Sequence, residues 1–161
     1  MKQQAMHAAW PALPYEAWGK TAETLHLWTQ IVGKIRLAQM PWINHSWHVT
    51  LYVTARGLST LPMPHGARLF LDHRLLIQTG EGQTQVIPLR PMTVAAFYRV
   101  VFFALKELEL DVRINPMPNE LPDPIPFDQD EIHADYDPEY ANRFWRVLAQ
   151  TERVFQQFRA R

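Results

Sequence analysis

The sequence predicts an α+β fold in which two long helices and a C-terminal helix pack with a mostly antiparallel sheet of three to four strands. Three observations support it: helical spacing of apolar residues near both ends, strict alternation in the middle of the chain, and turn residues between the alternating segments. The predicted order is α-β-β-β-α-β-α. With 161 residues, of which 47% are hydrophobic, the chain is expected to form a single domain over residues 1–161.

The first helix is predicted from about Glu16 to Gln39, after an irregular N-terminal arm over residues 1–14 that contains two prolines. Pro41 ends it, because proline can neither donate a backbone hydrogen bond nor fit a helix interior. Its apolar residues recur every three or four positions along one stripe: Trp18, Ala22, Leu25, Thr29, Val32 and Ile35.

Three strands are predicted next, over residues 47–56, 68–79 and 84–89. In the first, apolar and polar residues alternate without exception, which is typical of a strand with one face toward the core. The turn sequence at 80–83 contains two glycines and favours a hairpin between the second and third strands.

The second half begins with a helix from Thr93 to about Leu108, followed by a short strand over 112–114. Five prolines in residues 115–136 favour an extended, proline-rich acidic loop that is ordered and lies along the surface, anchored by Leu121, Ile125 and Phe127. Asp137 followed by Pro138 is the usual start of a helix, and this one is expected to reach the C-terminal region.

Composition narrows the classes of function. There are no cysteines, which excludes disulfides and thiolate metal sites. No signal-peptide pattern and no apolar run of membrane-spanning length occur, so the expected location is cytoplasmic. The net charge is zero, which makes nucleic acid an unlikely partner, since nucleic-acid binders usually carry a basic excess.

The leading candidate site is the polar face of the first predicted strand. Alternation would set His48, Tyr52 and Arg56 on one side of the strand. Residues two positions apart on that side are separated by about 7 Å, so one ligand could contact all three predicted residues. Arginine offers a fixed fork for a carboxylate or phosphate, tyrosine a phenol donor, and histidine a group that titrates near neutral pH. Thr50 and Thr54 share this face, which is equally typical of a solvated sheet face.

A second polar row lies on the first predicted helix. Glu23, His26 and Gln30 are spaced by three and four residues and so share one face, which Gly33 continues. The row fits either a histidine acid or base oriented by a carboxylate, or a hydrogen-bonded structural histidine. We expect His26 and Gln30 to join the candidate site if this helix packs on its side of the strand.

No metal ligand is assigned. His45 and His48 would point to opposite faces of a strand, and the acidic run from Asp128 to Asp137 lacks the glycine and final glutamate of a calcium loop. A basic row on the last helix, with Arg143, Arg146 and Arg153, is typical of a solvated helix face.

Three segments carry a family resemblance: TLHLWTQIVGKIRL from Thr24, WHVTLYVTARGL from Trp47, and PDPIPF from Pro122. Over residues 10–159 the chain resembles an uncharacterised bacterial family known only as a domain of unknown function. The resemblance implies no reaction, cofactor or site residue. It implies that this chain corresponds to the N-terminal half of longer relatives.

Three functions stay open. The first is a small-molecule binding domain or an enzyme that binds an anionic ligand near His48, Tyr52 and Arg56. The second is a non-catalytic module that binds protein through the proline-rich loop and aromatic helices. The third is a metal-dependent hydrolase using histidines and the acidic loop.

Self-association as a dimer is expected through the aromatic stripe of the C-terminal helix: Phe144, Trp145, Leu148, Phe155 and Phe158.

Overall fold

The computed structural model describes residues 10–63, 68–71 and 73–160, and for 68–71 only the backbone. Residues 1–9 of the predicted arm lie outside the described residues, and residues 10–14 carry no helix or strand. The fold is α+β, as predicted. None of the helices in these ranges is both long and apolar enough to cross a membrane.

The three helices lie where the sequence predicts them. Helix α1 spans Tyr15–Gln39, α2 spans Val94–Glu107 and α3 spans Pro138–Arg159. Their ends follow from local chemistry. Thr93 accepts a hydrogen bond from the Ala96 N–H, and the Asp137 carboxylate accepts from the first turn of α3. These caps pair N–H groups that have no partner within the helix.

The sheet is antiparallel, and each of its strands pairs with the next along the chain. Its members within the described ranges are β1 Tyr52–Thr54, β2 Gly57–Ser59, β3 Arg68–Leu71, β4 Arg74–Gln78 and β5 Thr84–Pro88. The prediction of three to four strands is therefore too low. The third predicted strand agrees closely with β5. The second is divided in two, because the chain turns back near His73 and pairs β3 with β4.

The predicted strand over 47–56 is wrong for most of its length. Residues Asn44–Val49 form a 3₁₀ helix with a kink, in which His45 and Ser46 have left-handed backbone angles. Within the predicted strand, only Tyr52–Thr54 is paired as a strand of the sheet. Burial also runs against the alternation, since Trp47 is 67% exposed while His48 is 1% exposed. The His48 side chain fills the interior that the pattern assigned to its apolar neighbours.

The predicted strand over 112–114 is also wrong. Val112 and Ile114 pack partly buried against the core, but residues 112–114 are not part of a strand in the described structure. The observed order in the described ranges is therefore one helix, the 3₁₀ segment, five strands and two helices, and not α-β-β-β-α-β-α. Apolar character alone placed this segment correctly against the core but not in a sheet.

The core lies between α1, α2 and the β4–β5 half of the sheet. Trp28 of α1 stacks on Phe97 of α2 with 4.7 Å between ring centroids, and both are fully buried. Leu75 and Ile77 of β4 complete this layer from the sheet side. Burying such large apolar side chains is the main favourable term in folding.

The proline-rich segment 115–136 has no helix or strand, and it is fastened to the domain at separate points. Phe127 is fully buried, while Leu121 and Ile125 are partly buried. The Phe127 N–H donates to the carbonyl of Pro116 at 2.8 Å, which closes a loop within the segment. Its carbonyls at Asp130 and His133 accept from the first N–H groups of α2. The segment thus serves as a cap for that helix.

Candidate functional site

A cavity of about 260 Å³ opens where α1, α3 and the β1–β2 turn meet, and we call it the apolar pocket. Most of its wall is aliphatic or aromatic. The residues that line it are Leu25, Thr29, Arg56, Gly57, Leu58, His73, Tyr136, Ala141, Asn142, Phe144, Trp145 and Leu148. A concave, mostly apolar wall with a few polar groups is the usual form of a small-molecule site.

Specific contacts hold α3 in the position that closes this pocket. The indole N–H of Trp145 donates to the backbone carbonyl of Thr54 at 3.1 Å. Phe144 packs on Trp18 of α1 with 5.2 Å between ring centroids. At the start of the helix, the Asp137 N–H donates to the Thr21 hydroxyl at 3.1 Å. None of the α3 residues is fully buried, so these contacts are what places the helix.

The apolar pocket also has a few polar residues in its wall, two of which have basic side chains. Arg56 and His73 are both exposed, and they approach from the β1–β2 turn and the β3–β4 turn. In the described part of the chain the Arg56 guanidinium makes no hydrogen bond or ion pair. The pocket therefore combines an apolar interior with a cation at its rim.

A second cavity, of about 350 Å³, runs along the neighbouring face of α1, and we call it the polar groove. Thr29 lines both cavities, so they adjoin along one turn of the helix. The groove is lined by His26, Thr29, Gln30, Gly33, Lys34, Leu37, Val49, Leu51, Asn119 and Glu120. Its walls are α1, the end of the 3₁₀ segment and the proline-rich segment.

A chain of hydrogen bonds crosses the polar groove. The Gln30 amide donates to the Asn119 carbonyl at 3.0 Å and accepts from the Asn119 N–H at 2.9 Å. This pair fixes the orientation of the amide, so its second N–H points to Nε2 of His26 at 3.0 Å. Nε2 of His26 is then the acceptor, and the ring proton belongs on Nδ1.

Lys34 continues this row one turn further. Its side chain is buried, Nζ donates to Oδ1 of Asn119 at 3.2 Å, and Nζ lies 5.9 Å from the centre of the Phe127 ring. Burial lowers the pKa of Lys34, because removing water disfavours the charged form. No carboxylate in the described ranges forms an ion pair with it. Lys34 thus lacks an ion-pair partner among the described residues, although the exposed Glu120 also lines the groove.

The three residues predicted to share one strand face do not share it. His48 is buried in the 3₁₀ segment, where Nδ1 accepts from the Ile43 N–H at 3.1 Å and its carbonyl accepts from Nε of Arg36. Tyr52 lies on β1, with the Arg36 guanidinium 5.2 Å from its ring centre. Arg56 follows β1 and lines the apolar pocket. The kink at His45 and Ser46 separates His48 from the strand.

The structure does bring His26 and Gln30 together, as their spacing predicts, but not with His48, Tyr52 or Arg56. Glu23 is exposed and does not line the groove. Sequence reasoning missed Lys34 and Asn119. Lys34 follows His26 by eight residues and Gln30 by four, so the same periodicity already placed it on that face. No local signal brings Asn119 to the helix.

Acidic side chains between Asp128 and Asp137 make hydrogen bonds that stabilise the local structure. The Asp130 carboxylate accepts from two N–H groups and lies 2.7 Å from Nδ1 of His133, while Asp137 caps α3. Among the residues whose placement is described, no three His, Asp or Glu side chains are arranged to hold a metal ion.

Comparison with known proteins gives one match. The model of a protein family described as a family of unknown function (DUF5996) matches residues 10–161, nearly the whole chain. The sequence resemblance to an uncharacterised family is thereby confirmed. No curated protein and no solved structure matches the chain.

Proposed function

Because the chain belongs to the family of unknown function DUF5996, we propose its function from its own geometry: it binds a small anionic molecule with an apolar body in the apolar pocket. The observation that carries this proposal is the cavity itself, enclosed by α1, α3 and the β1–β2 turn with Arg56 at its rim. An occupant with a flat hydrocarbon part would pack against Trp145 and Leu148. Its anionic group would lie against the guanidinium of Arg56.

Two properties of the pocket favour this ligand class. About 260 Å³ is close to the lower end of the range for small-molecule sites, so the fitting occupant is a single ring or a bicyclic group. The Trp145 N–H already donates to Thr54, so the indole presents its apolar surface and not a free donor. Recognition of charge therefore depends on the rim, where Arg56 and His73 lie.

Aromatic carboxylates are the probes that test this. Benzoate, 1-naphthoate and indole-3-acetate, each with its neutral primary alcohol or amide analogue, would be titrated by calorimetry and NMR. We expect the carboxylates to bind more tightly than their neutral analogues. Leu148→Trp should fill the pocket and abolish binding, and Arg56→Ala should reduce each carboxylate to the affinity of its neutral analogue.

Matched controls keep this test specific. Val100→Trp introduces the same tryptophan side chain at an exposed position of α2, and Arg153→Ala removes an exposed arginine that does not line the pocket. Neither should change binding. If no probe saturates, or if Leu148→Trp binds as the unaltered chain does, the apolar pocket is not the site.

A second proposal concerns self-association through the exposed end of α3. Val154, Phe155 and Phe158 are 52%, 59% and 79% exposed and form one apolar strip on an otherwise polar part of the helix. In an antiparallel pair of α3 helices centred between Phe155 and Gln156, Arg159 of each copy would face Glu152 of the other. Apolar contact with opposite charges at its rim is the pattern of an isologous dimer contact, so the partner we propose is a second copy of this chain.

A further inference from the structure

We infer that the polar groove is a second binding site, which takes the carboxylate group of a small molecule on the Lys34 ammonium. This site stands apart from the apolar pocket in its chemistry. This inference does not rest on the proposed function above, so binding in the polar groove and binding in the apolar pocket can each be wrong while the other is correct.

The positive charge of Lys34 has no ion-pair partner in the described ranges. The residue is 9% exposed, and in the described ranges its ammonium makes a hydrogen bond to Oδ1 of Asn119 and a cation–π contact with the Phe127 ring, but no ion pair. Both are neutral partners. A lysine that is largely withdrawn from water and has no ion-pair partner costs stability, which agrees with the lowered pKa of Lys34. An anion bound in the groove would supply that ion-pair partner.

The groove also contains hydrogen-bond donors that are available to a ligand. Gln30 uses both amide N–H groups and its oxygen within the protein, so it orders the groove and has no donor left for a ligand. Lys34 donates once to Asn119, which leaves two of its three N–H groups. His26 accepts at Nε2, so Nδ1 carries a proton that a ligand oxygen can accept. The groove thus offers donors to an anion.

The balance of charge selects a carboxylate over a phosphate. Glu120 is exposed and also lines the groove, but it makes no ion pair with Lys34. The Glu120 carboxylate repels any anion in the groove, and it repels a dianion more strongly than a monoanion. The single ammonium of Lys34 is enough to neutralise a monoanion but not a dianion. Gly33 has no side chain, which leaves space at the floor of the groove between α1 and Val49.

An NMR titration of the whole chain with sodium acetate, at ionic strength held constant with sodium chloride, tests this inference. We expect saturable shifts of the Gly33 and Asn119 amides, with the Leu58 and Leu148 amides of the apolar pocket unchanged. Sodium phosphate should bind more weakly than acetate. Lys34→Met keeps the apolar stem and should raise the dissociation constant for acetate about tenfold or more, since it removes a charge-assisted donor.

Lys20→Met is the matched control, because Lys20 is an exposed lysine of the same helix that does not line the groove. It should leave acetate binding unchanged. Linear, unsaturable shifts in the unaltered chain would overturn the inference without any variant. The inference would also be overturned if Lys34→Met bound acetate as tightly as the unaltered chain, or if phosphate bound more tightly than acetate.

Discussion

The side-chain amide of Gln30 makes two hydrogen bonds to the backbone of Asn119, a residue 89 positions away along the chain. One bond is donated and one accepted, as between neighbouring strands of a sheet. A single side chain of α1 thus replaces a strand as the partner of the proline-rich segment. This relationship fixes one wall of the polar groove and the orientation of His26.

We predict that Gln30→Glu detaches this part of the segment. The change removes the N–H that donates to the Asn119 carbonyl and places a carboxylate oxygen against it, which should cost about 1–3 kcal/mol. Urea denaturation measures the loss, and hydrogen exchange of the Asn119 amide should become faster. Gln157→Glu, at an exposed position of α3, controls for the added charge. Unchanged exchange at Asn119 would show that the segment is held by its apolar anchors alone.

We predict that His48→Ala lowers stability and not binding. The ring is buried and accepts the Ile43 N–H, so truncation leaves a cavity and an unpaired donor, at a cost of about 2–4 kcal/mol. Tyr52→Phe keeps the ring beside Arg36 and should change stability by less than about 0.5 kcal/mol. Thermal or urea unfolding measures both. A stable His48→Ala variant that loses binding of the probe carboxylates would contradict the structural role.

We predict that Glu131 stabilises the fold above acid pH. Its carboxylate accepts from the Thr93 hydroxyl at 2.7 Å and from the Arg99 guanidinium, and these hydrogen bonds lower the pKa of Glu131. Its contribution is therefore complete above the ordinary glutamate pKa of 4.5 and is lost as the pH falls through the lowered value. Glu131→Gln should be less stable than the unaltered chain at pH 7, and the difference should shrink below pH 4.5. Unfolding curves at several pH values measure it; a difference that stays constant with pH would contradict it.

We predict that Gly33→Ala stabilises α1. The added Cβ would lie 3.7 Å from the Val49 carbonyl oxygen, an ordinary contact distance. Replacing a glycine inside a helix should then add about 0.5–1 kcal/mol to the free energy of unfolding. The same methyl group would narrow the polar groove, so acetate binding should weaken while the melting temperature rises. A loss of stability would contradict this prediction and would mean that the added methyl group clashes with the 3₁₀ segment.

We predict that the double change Phe155→Ser and Phe158→Ser abolishes self-association. Both side chains are more than half exposed, so their loss removes contact between copies without disturbing the core. Sedimentation equilibrium over a range of concentrations measures the association. Phe103→Ser, at a position of α2 that is 64% exposed, is the matched control and should leave it unchanged. A strictly monomeric unaltered chain at high concentration would refute the proposal.

The helices could be predicted because their signals are local. Thr93, Asp137 and Pro138 are end signals that act within a few residues, and the apolar spacing of α1 and α2 needs no knowledge of the rest of the chain. The strand over 47–56 could not be predicted. Its alternation is real in the sequence, but burial of His48 against Arg36 and Ile43 depends on tertiary contacts that periodicity does not contain.

The candidate site was predictable in part for the same reason. His26 and Gln30 share a helix face, and the rule that paired them also reaches Lys34. The partners across the groove come from a segment without helix or strand, where no period indicates which residue faces the helix. Arg56 was predicted on a strand face and instead lines a cavity that depends on α3, which lies far along the chain.

Thr29 gives the two cavities a common wall, and thermodynamics then sets a rule for their occupants. If filling the apolar pocket shifts this turn of α1 and changes the affinity of the groove by some factor, filling the groove must change the affinity of the pocket by the same factor. The Thr29 hydroxyl donates to the carbonyl of His26, so the shared turn is also tied to a residue that lines the groove. Titrating each probe in the presence of the other should therefore give the same coupling free energy, whichever of the two probes is added second.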